Sequence, residues 1–153
     1  MNVIKYLKGD LVEALKSGEV QVIAHSCNCF NTMGSGVALA IKKSFPEAYA
    51  ADCRTVKGDK EKLGDMSIAV TDFGKVFNLY GQYNYGKDGK QYTDYTALDS
   101  ALFHMSGFLA FLDFEGSIGL PKIGAGIGGG DWGVIEEIIK DNLSRWEVNV
   151  YVL

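Results

Sequence analysis

The chain has 153 residues, 47% of them apolar and 22% charged, with a formal net charge of −4; this is the size and make-up of one globular domain spanning residues 1–153, and it excludes a disordered or fibrous chain. An acidic balance without clustered Lys and Arg argues against nonspecific nucleic-acid binding, although a small anion held by backbone amides leaves no trace in a charge count. The longest apolar stretch, Phe103 to Phe114, is broken by His104, Ser106, Gly107 and Asp113 and falls short of the roughly 20 residues of a membrane span, so no membrane partner is expected.

The opening residues, MNVIKYLKGD, run straight into a strand pattern and lack the uninterrupted apolar segment of a leader peptide, so a soluble, cytoplasmic protein is expected. Apolar runs predict strands near Val3 to Leu7, Val20 to Ala24, Met66 to Val70, Val76 to Tyr80, Ser117 to Leu120 and Val148 to Leu153. Between them, Val37, Ala40, Ile41 and Phe45 recur at helical steps up to Pro46, where a new helix can begin and run through Tyr49 to Val56. Thr93 or Asp94 can cap a long helix with Leu98, Leu102, Met105, Leu109 and Leu112 on one stripe, and Asp131 can cap another with Val134, Ile135, Ile138, Ile139 and Leu143 inward. Strand and helix patterns alternate, which predicts an α/β fold, a three-layer α/β/α sandwich around a central mixed sheet of about six strands.

The three cysteines, Cys27, Cys29 and Cys53, are an odd number, and Cys27 and Cys29 have one residue between them where zinc sites have two to four. Neither a disulfide framework nor a metal or other cofactor is expected.

Two strand-to-helix loops depart from structural routine, and in open α/β sheets such loops are where ligands bind. The first, after the strand ending near His25, carries Ser26, Asn28, Asn31, Thr32, Gly34, Ser35 and Gly36 before helicity resumes at Val37. Gly34-Ser35-Gly36 at a helix entry lets amides approach a phosphate, and Asn28 and Asn31 can meet ribose hydroxyls; equally, these residues can simply satisfy turns and a cap. The second loop packs Gly124, Gly126, Gly128, Gly129 and Gly130 into seven positions before Asp131-Trp132. So many glycines carry an entropic cost that a phosphate-wrapping run of free amides would justify. No Gly-Lys-Ser/Thr follows, and the formal GxGxxG lies late in the chain, so a dinucleotide fold is the weaker alternative.

Taken together, Lys8-Gly9-Asp10-Leu11, the stretch from Asn28 to Ala38 ending in Gly34-Ser35-Gly36-Val37-Ala38, and Leu120-Pro121-Lys122-Ile123-Gly124-Ala125-Gly126-Ile127 with Gly130-Asp131-Trp132 resemble the macro-domain family over nearly the whole chain. The pattern is similar to the branch with terminal ADP-ribose glycohydrolases and ADP-ribose 1''-phosphate phosphatases. The resemblance implies ADP-ribose or a derivative as ligand, and ADP-ribosylated protein as a further partner. It places Asp10 on the adenine amino group with Leu11 adding a backbone contact, and Asn28 near the distal ribose. Gly34, Ser35, Gly36 and Val37 would lie on one side of the diphosphate, and Gly124, Gly126, Ile127, Gly128 and Gly129 on the other. Tyr80 and Gln82 would lie beside adenine and ribose, with Tyr80 equally readable as a core residue with a wet hydroxyl.

Glycohydrolases of that branch use a lysine and an aspartate where this chain has Gln82 and Gly128. Glutamine cannot form a Schiff base and glycine offers no carboxylate, which turns the expectation from a lysine-dependent mechanism toward phosphatase chemistry. In that reading His25 and Asp131 handle protons or activate water while Asn28 and the loop amides hold charge. His25 can instead be a core histidine on a backbone carbonyl, and Asp131 can cap its helix. A reader without chemistry, or a hydrolase or deacetylase of ester-linked ADP-ribose derivatives, are the alternatives.

Overall fold

The computed structural model describes residues 4–153; Val3, at the start of the first expected strand, lies outside them. Six strands, β1 (Ile4–Lys8), β2 (Val22–Ser26), β3 (Met66–Val70), β4 (Lys75–Leu79), β5 (Ser117–Leu120) and β6 (Glu147–Val152), form one sheet in the order β1-β6-β5-β2-β4-β3. All neighbours are parallel except β3 and β4. The mixed α/β sandwich expected from the alternating patterns is therefore the fold.

Period-two alternation divides the strand side chains between two helical layers. Val22, Ala24, Phe77, Leu79, Ile118, Leu120, Val148 and Val150 pack with the long helix α4 (Tyr95–Phe111) and with α5 (Trp132–Leu143). Ile23, Ala69, Val76 and Tyr151 face the other way, against α1 (Leu11–Lys16), α2 (Gly36–Ser44) and α3 (Pro46–Cys53). Burying apolar side chains on both faces contributes about 25 cal/mol per Å² removed from water, the main favourable term in folding.

Several expected boundaries shift for local reasons. Helix α1, not singled out by periodicity, spans only six residues; Asp10 caps it by accepting from the Val12 amide at 2.8 Å. Val20 precedes β2 because its amide is drawn back to the Ala14 carbonyl at the end of α1. Tyr80 follows β4 and is turned inward, and α3 stops at Cys53, short of Val56. Asp94, not Thr93, caps α4 through the Ala97 amide at 3.0 Å. Leu112, past the helix end, and Val134 are exposed, as are Val37 and Ala40; of the α2 stripe only Ile41 and the following Phe45 enter the core.

The topology itself positions the site. From β2 the chain leaves toward α2 and α3 on one face, and from the adjacent β5 it leaves toward α5 on the other, so the carboxyl ends of β2 and β5 form a topological switch point. Their pairing is confined to Val22 with Ile118 and Ile23 with Gly119. Beyond those two pairs the strands and their loops part.

Candidate functional site

A cavity of about 630 Å³ opens at that switch point, within the range of small-molecule and cofactor sites. Its walls include His25, Asn28, Gly34, Ser35, Gly36 and Val37 from the first loop and Gly124, Gly126, Ile127 and Gly128 from the second, with Gln82 between. The loops nearly touch: a methyl group added at Gly36 would stand 3.8 Å from Ile127 Cδ1. Gly36 and Gly124 adopt φ of +59° and +72°, a region glycine enters without the Cβ penalty.

Both loops present unused donors. Helix α2 begins at Gly36 with Ser35 as its cap residue, but the Ser35 side chain makes no capping bond and no acidic residue occupies the first turn. By contrast α1, α4 and α5 each have an aspartate accepting from the first turn. Among the described residues, the amides of Gly36, Val37 and Ala38 donate to no protein acceptor, nor do those of Gly126, Ile127 and Gly128. Open first-turn amides plus the helix dipole make an anion site. The buried Ser26 Oγ, on the same wall, also has no protein partner, and such a group calls for a ligand or water. Among the described residues no Asp or Glu lines the cavity; Lys87 and Lys122 do.

The second loop is held from the side by residues without a sequence motif. Thr93 Oγ1 donates to the Gly124 carbonyl at 2.6 Å, and the Tyr92 and Thr93 amides donate to the Gly128 carbonyl at 2.8 and 3.0 Å. The segment between β4 and α4 thus supports the glycine loop and adds Tyr85, Gly86 and Lys87 to the wall. It shows no apolar period; its only sequence mark is a run of Tyr, Gly and Lys between two elements.

His25 is 2% exposed, at the inner wall. Its Nε2 lies 2.7 Å from Asn78 Oδ1, while Asn78 Nδ2 donates to the Ala48 carbonyl and to Ser67 Oγ, both at 3.0 Å. Those two donations fix the Asn78 amide, so His25 Nε2 carries the proton and Nδ1 the lone pair. Burial lowers its pKa to about 4, only partly offset by the Asn78 bond, so the ring is neutral near pH 7. The expected backbone-carbonyl partner is replaced by the Asn78 side chain. Cys27 Sγ sits 3.5 Å from Nε2, and burial pushes that thiol well above its ordinary range, leaving it protonated and unreactive.

Asn28 lines the cavity while ordering its own loop: Oδ1 accepts from the Phe30 amide at 2.8 Å and Nδ2 donates to Thr32 Oγ1 at 2.7 Å. Other expected site residues lie elsewhere. Asn31 is turned into a part-buried network, donating to the Thr55 carbonyl at 3.0 Å and accepting from Lys62 Nζ at 2.6 Å. Tyr80 is 1% exposed and donates to Asp52 Oδ1 at 2.7 Å, so it belongs to the core rather than to a stacking face. Gly129 packs on Lys90 and Gln91, where an added Cβ would meet the Lys90 carbonyl at 2.8 Å. Asp131 Oδ1 accepts from the Gly133 amide at 2.8 Å, a helix cap outside the cavity. Asp10 lines a separate depression of about 290 Å³, and Leu11, the first residue of α1, is buried.

The Macro domain family profile matches residues 24–139. This chain belongs to the Macro domain family. An uncharacterised 17.5 kDa protein of Enterobacteria phage T4 is 39% identical over 151 residues, covering 95% of this chain and 94% of its own length. An ADP-ribose 1''-phosphate phosphatase of Debaryomyces hansenii is 29% identical, covering 98% and 99%. Among solved structures, a Bacteroides thetaiotaomicron protein of unknown function superposes with a TM-score of 0.84 at 31% identity over 99% of both chains. The macrodomain of Mycobacterium tuberculosis DarG shares the fold with a TM-score of 0.78 at 21% identity over 100% and 99% of the chains. Its relatives include proteins named as hydrolases, an ADP-ribose 1''-phosphate phosphatase among them, and no helix among its described residues is long and apolar enough to cross a membrane.

Proposed function

We propose that the cleft binds ADP-ribose or a close derivative, with the diphosphate between the two glycine-rich loops, and that it hydrolyses the phosphomonoester of ADP-ribose 1''-phosphate. The observation that carries this is the pair of open amide sets on the two loops that flank a cavity lined, among the described residues, by no carboxylate. The kinship with yeast phosphatases supports the substrate. The assignment of adenine to Asp10 and Leu11 rests on the family resemblance alone, since neither lines the cavity.

In the proposed step a water oxygen attacks phosphorus, the bond to the ribose oxygen breaks, and ADP-ribose and inorganic phosphate leave. Phosphoryl transfer runs through a loose transition state in which positioning and charge stabilisation dominate. That suits a wall of amides with Asn28, and it asks little of a general base. His25 contributes a neutral acceptor at Nδ1, not a titrating acid. Asp131 caps its own helix and does not line the cavity, so the proposed step makes no use of it.

A second reading, recognition of free or protein-linked ADP-ribose without turnover, is favoured by the lack of Asp or Glu on the wall. One panel separates the two: calorimetric titration with ADP-ribose, and phosphate release from ADP-ribose 1''-phosphate, with O-acetyl-ADP-ribose and ADP-ribosylated protein alongside. Tight binding with phosphate release supports the phosphatase; tight binding with no turnover of any substrate supports the reader.

A further inference from the structure

Within the cavity the positive charge is unevenly committed. The loop of residues 83–92 is tied at its base by the bridge between Gln82 and Thr93 and by the Asp94 amide donating to the Gly81 carbonyl at 2.8 Å. At its start, Gln82 Nε2 donates to the Asn84 carbonyl at 2.9 Å and the Tyr85 amide to Asn84 Oδ1 at 2.8 Å. Its one carboxylate, Asp88, accepts from Tyr92 Oη on both oxygens at 2.9 Å, takes the Lys90 amide at 3.2 Å and pairs with Lys90 Nζ at 3.8 Å. Asp88 is not on the cavity wall; Lys87, one residue earlier, is.

Lys87 makes no ion pair, hydrogen bond or ring contact with any described residue. Lys122, the other lysine on the wall, has its ammonium 5.9 Å from the centre of the Trp132 ring. The stretch of wall that carries Lys87 touches the first loop: the ring of Tyr85 lies 6.3 Å from that of Phe30, which follows Asn28 by two residues. The loop amides and the α2 N-terminus account for a diphosphate. Among the described residues they leave over one uncommitted ammonium on the wall, on the segment whose Tyr85 meets the loop that carries Asn28.

We propose that Lys87 is a specificity-determining residue that makes this cleft prefer an ADP-ribose derivative ending in a phosphomonoester to unphosphorylated ADP-ribose. This rests on the reading of the cleft given under Proposed function. A phosphomonoester carries close to two negative charges at pH 7. An ammonium reaching it gains a charge-assisted hydrogen bond that uncharged ribose hydroxyls cannot return in kind. The contact is solvent-exposed, so the preference shrinks as salt rises.

The experiment compares apparent affinity for ADP-ribose 1''-phosphate (KM from phosphate release, or Kd where there is no turnover) with Kd for ADP-ribose. The proteins are wild type, Lys87→Gln, Lys87→Arg and Lys57→Gln, an exposed lysine off the cavity that removes the same charge. Wild type is expected to prefer the phosphorylated ligand, and Lys87→Gln to lose about tenfold of that preference. Lys87→Arg and Lys57→Gln keep it. Equal affinity of wild type for both ligands, an unchanged ratio in Lys87→Gln, or an equal loss in Lys57→Gln overturns this inference alone. Wild type that binds neither ligand overturns the reading of the cleft and this inference with it.

Discussion

The tautomer and charge of His25 yield a prediction whose size follows from its surroundings. The ring has a pKa of about 4 in the folded protein against an ordinary value of 6.5. Between those values the unfolded chain binds the proton and the folded one does not, so stability falls as pH falls. The full loss is about 2.5 units at 1.36 kcal/mol each, or about 3.4 kcal/mol, spread from pH 6.5 down to pH 4. From pH 7 to pH 5 the same two pKa values give about 2 kcal/mol. Asp52, whose carboxyl pKa burial raises, works in the opposite direction: it takes up its proton earlier in the folded state, and so gains stability as pH falls toward its ordinary value. Comparing wild type with His25→Gln cancels that contribution, because the glutamine amide introduced by the substitution can still donate to Asn78 but does not titrate. Urea denaturation at pH 7 and pH 5 is the assay, and the wild-type loss should exceed that of His25→Gln by about 2 kcal/mol. Equal pH dependence of the two proteins would refute the buried, neutral histidine and return His25 to the titrating groups of the cleft.

Other outcomes follow from the same geometry. Gly128→Ala would place a Cβ 2.5 Å from Thr93 Oγ1 and 2.9 Å from the Gly124 carbonyl, so it should cost about 1–3 kcal/mol by overpacking and weaken ligand binding by displacing the loop, read by thermal melting and calorimetry. Asp131→Ala should cost about 1 kcal/mol through the lost cap while phosphate release at saturating substrate stays within twofold; a large fall in turnover would restore Asp131 to the chemistry. Tyr80→Phe leaves the buried Asp52 carboxylate without its hydrogen-bond donor among the described residues, which should cost about 1–3 kcal/mol with ADP-ribose affinity retained, the reverse of what a stacking tyrosine would show.

The fold was largely legible because its signals are local. Period-two runs mark the strands, and Pro46, Asp94 and Asp131 mark helix starts that the structure keeps. The two glycine-rich loops were legible for a similar reason: glycine density is written in consecutive residues. What escaped depends on partners far apart in sequence. Asn31 and Tyr80 read as ligand groups, yet Lys62, Thr55 and Asp52, 24 to 31 residues away, claim them. Nothing in a linear reading ranks those bonds above a bound nucleotide. Asp131 had two roles that can coexist; the Gly133 amide two residues on fills the cap, while its place off the cavity wall is set by the tertiary fold. The support that Tyr92 and Thr93 give the second loop, and the place of Lys87 on the wall, required the tertiary pairing of the 83–92 segment with residues 124–128.

The central claim is that facing backbone amides of the two loops hold the diphosphate of ADP-ribose. Gly126 offers the most direct test, since an added Cβ there meets nothing within 4 Å and its φ is ordinary. Gly126→Asp therefore adds a negative charge beside the open amides with little steric cost. Calorimetric titration with ADP-ribose should show saturable one-to-one binding by wild type and none by Gly126→Asp at an unchanged melting temperature. Absence of binding by wild type, or undiminished binding by Gly126→Asp, would contradict the account.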